Sequence, residues 1–203
     1  MNKGEISCLV GPNGAGKTTL MNIAAGLDRT FKGSCKLNDK DTWQNDSKTE
    51  IGYMPQLADE YATLKLREFI SFVSEIKGTS DAQLVHLLKR YDLYEYMEIP
   101  IKTFSYGMKQ KVNLLVALMG DPKLVILDEP TNGLDTKSII YLKEDLIKMR
   151  EQDKIIVISS HNLDFVSQIG TCFYFLKEGE CIYTSTETNI QTLENIYKTK
   201  YNI

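Results

Sequence analysis

The sequence predicts an α/β fold built on a mostly parallel central sheet, and three observations carry that reading. Residues 6–10 are a short apolar run, followed by a glycine-rich turn and then a helical pattern from Lys17. Residues 124–127 are wholly apolar and deliver Asp128, Glu129 and Pro130. Residues 155–160 hold a third apolar run, which ends at His161. Apolar runs without alternation are the pattern of strands covered on both faces, as in parallel sheets. Such sheets place ligands beyond the C-terminal ends of their strands.

The elements follow in chain order. Residues 17–27 read as the helix after the glycine-rich turn. Residues 34–53 hold short strands and a polar loop around Trp43. Residues 64–120 read as a mostly helical lobe inserted into the sheet domain. Its apolar residues recur at helical spacing: Leu66, Phe69, Ile70 and Val73, then Leu84, Leu87, Leu88 and Tyr91, then Val112, Leu115, Val116 and Met119. Gly120, Asp121 and Pro122 stop the last of these helices. Ile139, Leu142, Leu146 and Met149 mark another helix before the strand at 155. Residues 173–176 and 181–183 flank Lys177, Glu178, Gly179 and Glu180, which reads as a hairpin. Residues 188–201 close the chain with a helix. His86, beside Leu84, Leu87 and Leu88, reads as a surface residue without chemistry.

The glycine-rich turn is Gly11, Pro12, Asn13, Gly14, Ala15, Gly16, Lys17, Thr18 and Thr19. It fits the P-loop pattern in full, between a strand and a helix. Backbone N–H groups in such a turn converge on phosphate oxygens, and the helix N-terminus adds a favourable field. Lys17 is expected to reach the β- and γ-phosphates of a nucleoside triphosphate, and Thr18 to place its hydroxyl on Mg²⁺. Asp128 is expected to hold the same ion through its water shell. Glu129 is expected to face the γ-phosphate as general base for the attacking water. Alone, an Asp-Glu pair after a strand is an ordinary turn. With a P-loop upstream, the catalytic reading wins.

Further motifs fall in a fixed order: Gly52, Tyr53, Met54, Pro55 and Gln56; then Phe104, Ser105, Tyr106, Gly107, Met108, Lys109 and Gln110; then, past Pro130, Asn132, Gly133, Leu134 and Asp135; then Ser159, Ser160 and His161. This order, over residues 4–180, resembles the nucleotide-binding subunit of ABC transporters. The Ser-x-Gly-Met-Lys-Gln form resembles the branch that powers exporters of drugs, peptides and bacteriocins. The resemblance implies a P-loop NTPase fold with a mostly parallel central sheet, a reduced antiparallel β subdomain and an inserted α-helical subdomain. It implies one ATP-binding domain over 1–203, with 1–62 and 121–203 as a RecA-like sheet core and 63–120 as the helical signature subdomain. It also implies a head-to-tail dimer, homo- or heteromeric, that sandwiches two ATP molecules. Ser105, Gly107 and Asp135 would then act in trans on the partner's nucleotide. Gln56 would approach Mg²⁺ and the attacking water, and His161 would touch the γ-phosphate and help hold Glu129.

By residue type alone, Gln56 is also an ordinary loop amide, Ser105 and Asp135 are ordinary N-caps, and His161 is an ordinary loop histidine. Tyr106 and Met108 depart from the glycine and glutamine usual in this signature, while Gly107 keeps the amide that the phosphate contact needs. The family carries an adenine-stacking aromatic upstream of the P-loop. Here no aromatic precedes Phe31, which implies base recognition weaker by about 1–3 kcal/mol. It also leads to the expectation of unpaired strand edges near 34–37 and 51–53.

Charged residues make up 25% of the chain and net charge is −3, so there is no basic footprint for nucleic acid. No apolar run reaches the length of a membrane span. The reading is therefore an ATPase at the inner face of the cell membrane, working through a transmembrane permease subunit. Tyr91, Tyr94, Tyr96 and Met97, with residues 55–66, are either ordinary packing or a groove for a helix of that permease. The four cysteines, Cys8, Cys35, Cys172 and Cys181, read as reduced packing residues. Two other functions stay open: a non-hydrolysing or truncated nucleotide-binding regulator, and a soluble ABC-type ATPase acting on nucleic acid or ribosomes.

Overall fold

Apolar runs 6–10, 124–127 and 155–159 become adjacent parallel strands. The computed structural model describes residues 1–44, 49–54 and 61–202. The strands are β1 (Glu5–Val10), β2 (Lys36–Leu37), β3 (Lys40–Asp41), β4 (Ile51–Tyr53), β5 (Leu124–Asp128), β6 (Ile155–Ser159), β7 (Cys172–Lys177) and β8 (Glu180–Ser185). The helices are α1 (Lys17–Ala24), α2 (Leu66–Lys77), α3 (Asp81–Arg90), α4 (Tyr106–Leu118), α5 (Thr136–Glu151), α6 (Leu163–Ile169) and α7 (Ile190–Tyr201). Short 3₁₀ turns at Tyr94–Tyr96 and Ile101–Thr103 join α3 to α4.

Among the described residues the main sheet runs β4-β5-β6-β1-β7-β8. All its pairings are parallel except β7 with β8, the predicted hairpin. Ile6, Cys8, Val10, Val125, Leu127, Ile156 and Ile158 point into one core, and Leu9, Ile126 and Val157 into the other. Both faces are therefore covered, which explains why these strands show no polar alternation. Register places Asp128 opposite Ser159, and Ser159 opposite Leu9. The C-terminal ends of three strands thus converge at one edge.

Two expectations, the end of α1 and the burial of Cys181, need correction. The helix after the P-loop stops at Ala24, not 27, because the backbone turns left-handed at Gly26 and the Asn22 carbonyl accepts from Leu27 and Asp28 instead. Among the described residues β2 pairs antiparallel with β3 alone and keeps one unpaired edge, as expected near 34–37. β4 pairs with β5 on one side and forms the sheet's edge on the other. Cys181 is exposed rather than packed; Cys8 and Cys172 are buried, Cys35 is half-buried, and all four thiols are free.

Among the described residues three α-helices, α2, α3 and α4, lie between β4 and β5 in the chain. A polar junction ties α3 to α5. Tyr91 is fully buried and donates its hydroxyl to Asp145 at 2.7 Å. Arg90 donates to the carboxylates of Asp145 at 3.0 Å and Glu144 at 2.7 Å, with its guanidinium 4.3 Å from the Tyr141 ring centre. Tyr91 is thus committed to the interior and is no part of a surface groove. Tyr94 and Tyr96 are exposed. The 55–60 part of the proposed groove, with Gln56, lies outside the described residues.

Candidate active site

Residues 11–19 leave β1 and enter α1 with Gly14 and Gly16 at positive φ. Gly11, Ala15 and Lys17 are buried, while Pro12, Asn13, Gly14, Thr18 and Thr19 are exposed. The Lys17 ammonium folds back and donates to the carbonyls of Gly11 at 2.7 Å and Pro12 at 3.0 Å. The loop therefore carries its own buried cation, already desolvated, beside the N-terminus of α1.

A continuous hydrogen-bonded chain runs across the strand ends. Thr18 donates its hydroxyl to Asp128 Oδ2 at 2.7 Å. Ser159, fully buried at the end of β6, donates to the other oxygen of Asp128. The same Ser159 hydroxyl accepts from the backbone N–H of Glu129 at 3.0 Å, and the Ser159 carbonyl accepts from it at 3.2 Å. Glu129 has φ 47°, in the left-handed region. That conformation costs a non-glycine residue about 1–2 kcal/mol. Pro130 disfavours the right-handed helical alternative. The turn directs the Glu129 carboxylate to His161, whose Nδ1 lies 2.9 Å from Oε2 and whose backbone N–H donates to the same oxygen at 3.4 Å.

Sequence reading named Lys17, Thr18, Asp128, Glu129 and His161 for one site, and they stand at one sheet edge. It missed Ser159, whose hydroxyl joins the two carboxylate residues. Nothing local marks this serine; its role depends on β5–β6 register.

Lys17, Thr18, Asp128 and Glu129 line a cleft of about 900 Å³, while Ser159 and His161 stand behind the two carboxylates. Its far wall is a polar face of the same chain's α4: Tyr106, Lys109, Gln110 and Asn113. The helix is otherwise packed by apolar residues. Gln110 donates to the Tyr106 hydroxyl at 3.3 Å and accepts from Asn113 at 3.0 Å. This face was also missed, although the recurrence of polar residues three and four apart signals it.

Ser105, Gly107 and Asp135 do not line this cleft. Ser105 caps α4, accepting from Met108 N–H at 3.2 Å. Gly107 lies against the backbone of Gly133: a Cβ there would sit 2.5 Å from the Gly133 carbonyl oxygen. Asp135 caps α5, accepting from Ser138 N–H at 2.8 Å, and pairs with Lys111 at 2.6 Å. The Lys111 ammonium, helped by that N–H, holds its carboxyl down at about 2. The N-termini of α4 and α5 are thereby clasped together, with the Tyr106 ring, 63% exposed, over Gly133.

Thr18 and Asp128 offer two hard oxygens at contact distance, a donor set suited to Mg²⁺ held jointly with phosphate oxygens. Among the described residues no cluster of three or more His, Cys, Asp or Glu could hold a metal alone. The pair therefore fits a nucleotide-borne ion rather than a dedicated cage.

Comparison with known proteins places this geometry. Residues 1–132 match the family model described as ABC transporter. The chain is 34% identical over 195 residues to the lantibiotic transport ATP-binding protein SrtF of Streptococcus pyogenes, covering 96% of this chain and 85% of that one. It is 31% identical over 198 residues to the linearmycin resistance ATP-binding protein LnrL of Bacillus subtilis, covering 94% and 63%. A solved ATP-binding subunit of an ABC transporter superposes with TM-score 0.84 at 28% identity, covering 97% of this chain and 84% of that one. The chain belongs to the ABC transporter family, as one of its ATP-binding, ATP-hydrolysing subunits.

Proposed function

We propose that this chain is the motor of an exporter of antimicrobial peptides or similar drugs, and that two nucleotide-binding subunits sandwich two MgATP head to tail. The single observation that carries the hydrolytic reading is the Glu129–His161 pair, whose Glu129 lines the P-loop cleft. The relatives named for lantibiotic transport and linearmycin resistance support the exporter assignment.

On ATP binding, Lys17 exchanges its two carbonyl partners for β- and γ-phosphate oxygens. The amides of residues 13–19 take the remaining charge. Thr18 and Asp128 would hold Mg²⁺, which would supply neutralising charge to the β- and γ-phosphates. Ser159 keeps the Asp128 carboxylate turned toward Thr18. Glu129 accepts a proton from water as that oxygen attacks the γ-phosphorus; the bond to the β–γ bridging oxygen breaks and ADP leaves with the electron pair. His161 holds the Glu129 carboxylate in line and contacts the γ-phosphate. Gln56, outside the described residues, would by the family resemblance approach the ion and the water and sense nucleotide for the permease.

Ser105, the Gly107 amide and Asp135 serve the partner's nucleotide. Their position outside their own cleft supports this, as does the exposed N-terminus of α4, a ready anion site. No helix of the described residues is long and apolar enough to cross a membrane, which suits a separate permease subunit as partner.

The test is sedimentation of Glu129→Gln with and without MgATP. The expected result is a monomer that becomes a dimer with ATP, and remains monomeric with ATP when Ser105→Arg is added. A Glu129→Gln chain that binds ATP yet stays monomeric at saturating nucleotide rejects the self-assembling sandwich.

A further inference from the structure

The underside of the P-loop is built by the other end of the chain. In the turn between β7 and β8, Gly179 N–H donates to the Ala15 carbonyl at 3.1 Å. From the last turn of α7, the Tyr201 hydroxyl lies 3.1 Å from the Val10 carbonyl and 2.8 Å from the Leu176 carbonyl, its one proton shared between them. The β1–β7 ladder ends at the pair Val10 and Phe175. The phenol therefore bridges the two strands just where their own hydrogen bonding runs out, one residue before the loop begins.

Packing at this point is close. A Cβ on Gly11 would lie 2.5 Å from the Leu176 oxygen, 3.1 Å from Ala15 Cβ and 3.2 Å from the Tyr201 hydroxyl. Gly11 in turn gives one of the two carbonyls that hold Lys17. The Tyr201 ring packs on Tyr197 with centroids 4.4 Å apart. Burial pushes the phenol up to about 12, so it is a proton donor at neutral pH. A loop whose amides are aimed before phosphate arrives spends less binding free energy on ordering itself. The phenol does not line the cleft and touches no group assigned to the γ-phosphate.

We infer that Tyr201 is a positioning residue for the nucleotide: its hydroxyl fixes the peptide entering the P-loop, so that α7 sets the affinity for the phosphates. This rests on reading residues 11–19 as the nucleotide loop. Because the contact lies beneath the loop and away from the water, it acts on ATP and ADP alike and leaves the chemical step alone.

The experiment compares wild type, Tyr201→Phe and Tyr197→Phe by calorimetric ADP binding, by kcat and KM for MgATP, and by melting temperature. Tyr197→Phe removes a neighbouring hydroxyl without a hydrogen bond to the strands. Tyr201→Phe should raise both the ADP Kd and the ATP KM about fivefold, the effect of one net hydrogen bond, with kcat within about twofold. Tyr197→Phe should leave Kd and KM unchanged. A purely structural role would lower the melting temperature of Tyr201→Phe while Kd at 25 °C stays put, and that result overturns the inference. So does a fall in kcat at constant KM. If wild type itself binds no ADP, the reading of the loop fails and the inference falls with it.

Discussion

Replacing Ser159 with alanine removes a side chain that joins Asp128 to Glu129. The loss can be worked from its contacts. The hydroxyl is fully buried and makes a charge-assisted hydrogen bond to Asp128 Oδ1. Such bonds contribute about 1.5–3 kcal/mol. It also accepts from the Glu129 N–H. That donor keeps the Ser159 carbonyl at 3.2 Å, so little is lost there. Asp128 keeps Thr18 on its other oxygen and is half-buried, so water recovers part of the rest. The expected destabilisation is about 2 kcal/mol, or roughly 4–8 °C in melting temperature for a chain of this size. Urea unfolding at constant m reads it directly. In a double-mutant cycle, Asp128→Asn and Ser159→Ala should couple by about 1–2 kcal/mol. The apparent Mg²⁺ affinity in MgATP turnover should also fall about tenfold, as expected when the partner orienting a metal-binding carboxylate is removed. A loss below about 0.5 kcal/mol with no coupling to Asp128 would refute the reasoning, because surface substitutions do as much.

Other outcomes follow from the same geometry. Gly133 has φ +74°, and a Cβ there would lie 2.5 Å from two carbons of the Tyr106 ring. Gly133→Ala should cost about 1–2 kcal/mol for the left-handed backbone. The loss should persist within about 0.5 kcal/mol when Tyr106→Ala is added, because the exposed ring yields cheaply; thermal unfolding of both backgrounds checks it. Asp135 is held at about 2, below its ordinary 3.8, first by Lys111 and then by Ser138 N–H. A lowered carboxyl pKa stabilises the fold above the ordinary value and loses that contribution as pH falls from about 4 through about 2. Carboxyl carbon NMR should find the Asp135 midpoint near 2 in wild type and closer to 3.8 in Lys111→Met.

Local pattern made much of this molecule legible. The P-loop, the apolar run into Asp128 and Glu129, and the run into His161 are short and contiguous, and each signals strand, turn and chemistry together. The hairpin about Gly179 and the helix spacings in 66–118 were visible for the same reason. What local pattern hides depends on pairing across the chain. Ser159 looks like one more small residue at a strand end until register sets it opposite Asp128. Tyr201 meets Val10 across 191 residues. Tyr91 was open to ordinary packing or a groove, and its partner Asp145, on another helix 54 residues on, decides for packing. Helix α1 overran in the reading because residues 25–27 are compatible with a helix until Gly26 turns left-handed. The α4 face of Tyr106, Lys109, Gln110 and Asn113 shows its role only once the fold sets it across the cleft from the P-loop.

The most direct test of the central claim is ATP hydrolysis by the purified chain beside Glu129→Gln, with ATP binding measured on both. The account predicts that both bind MgATP, that wild type releases phosphate, and that the variant loses at least about a hundredfold in kcat, the scale of general-base catalysis. Wild-type turnover that survives Glu129→Gln within a few-fold would contradict the assignment of Glu129, and with it the site built around the P-loop, Asp128, Ser159 and His161.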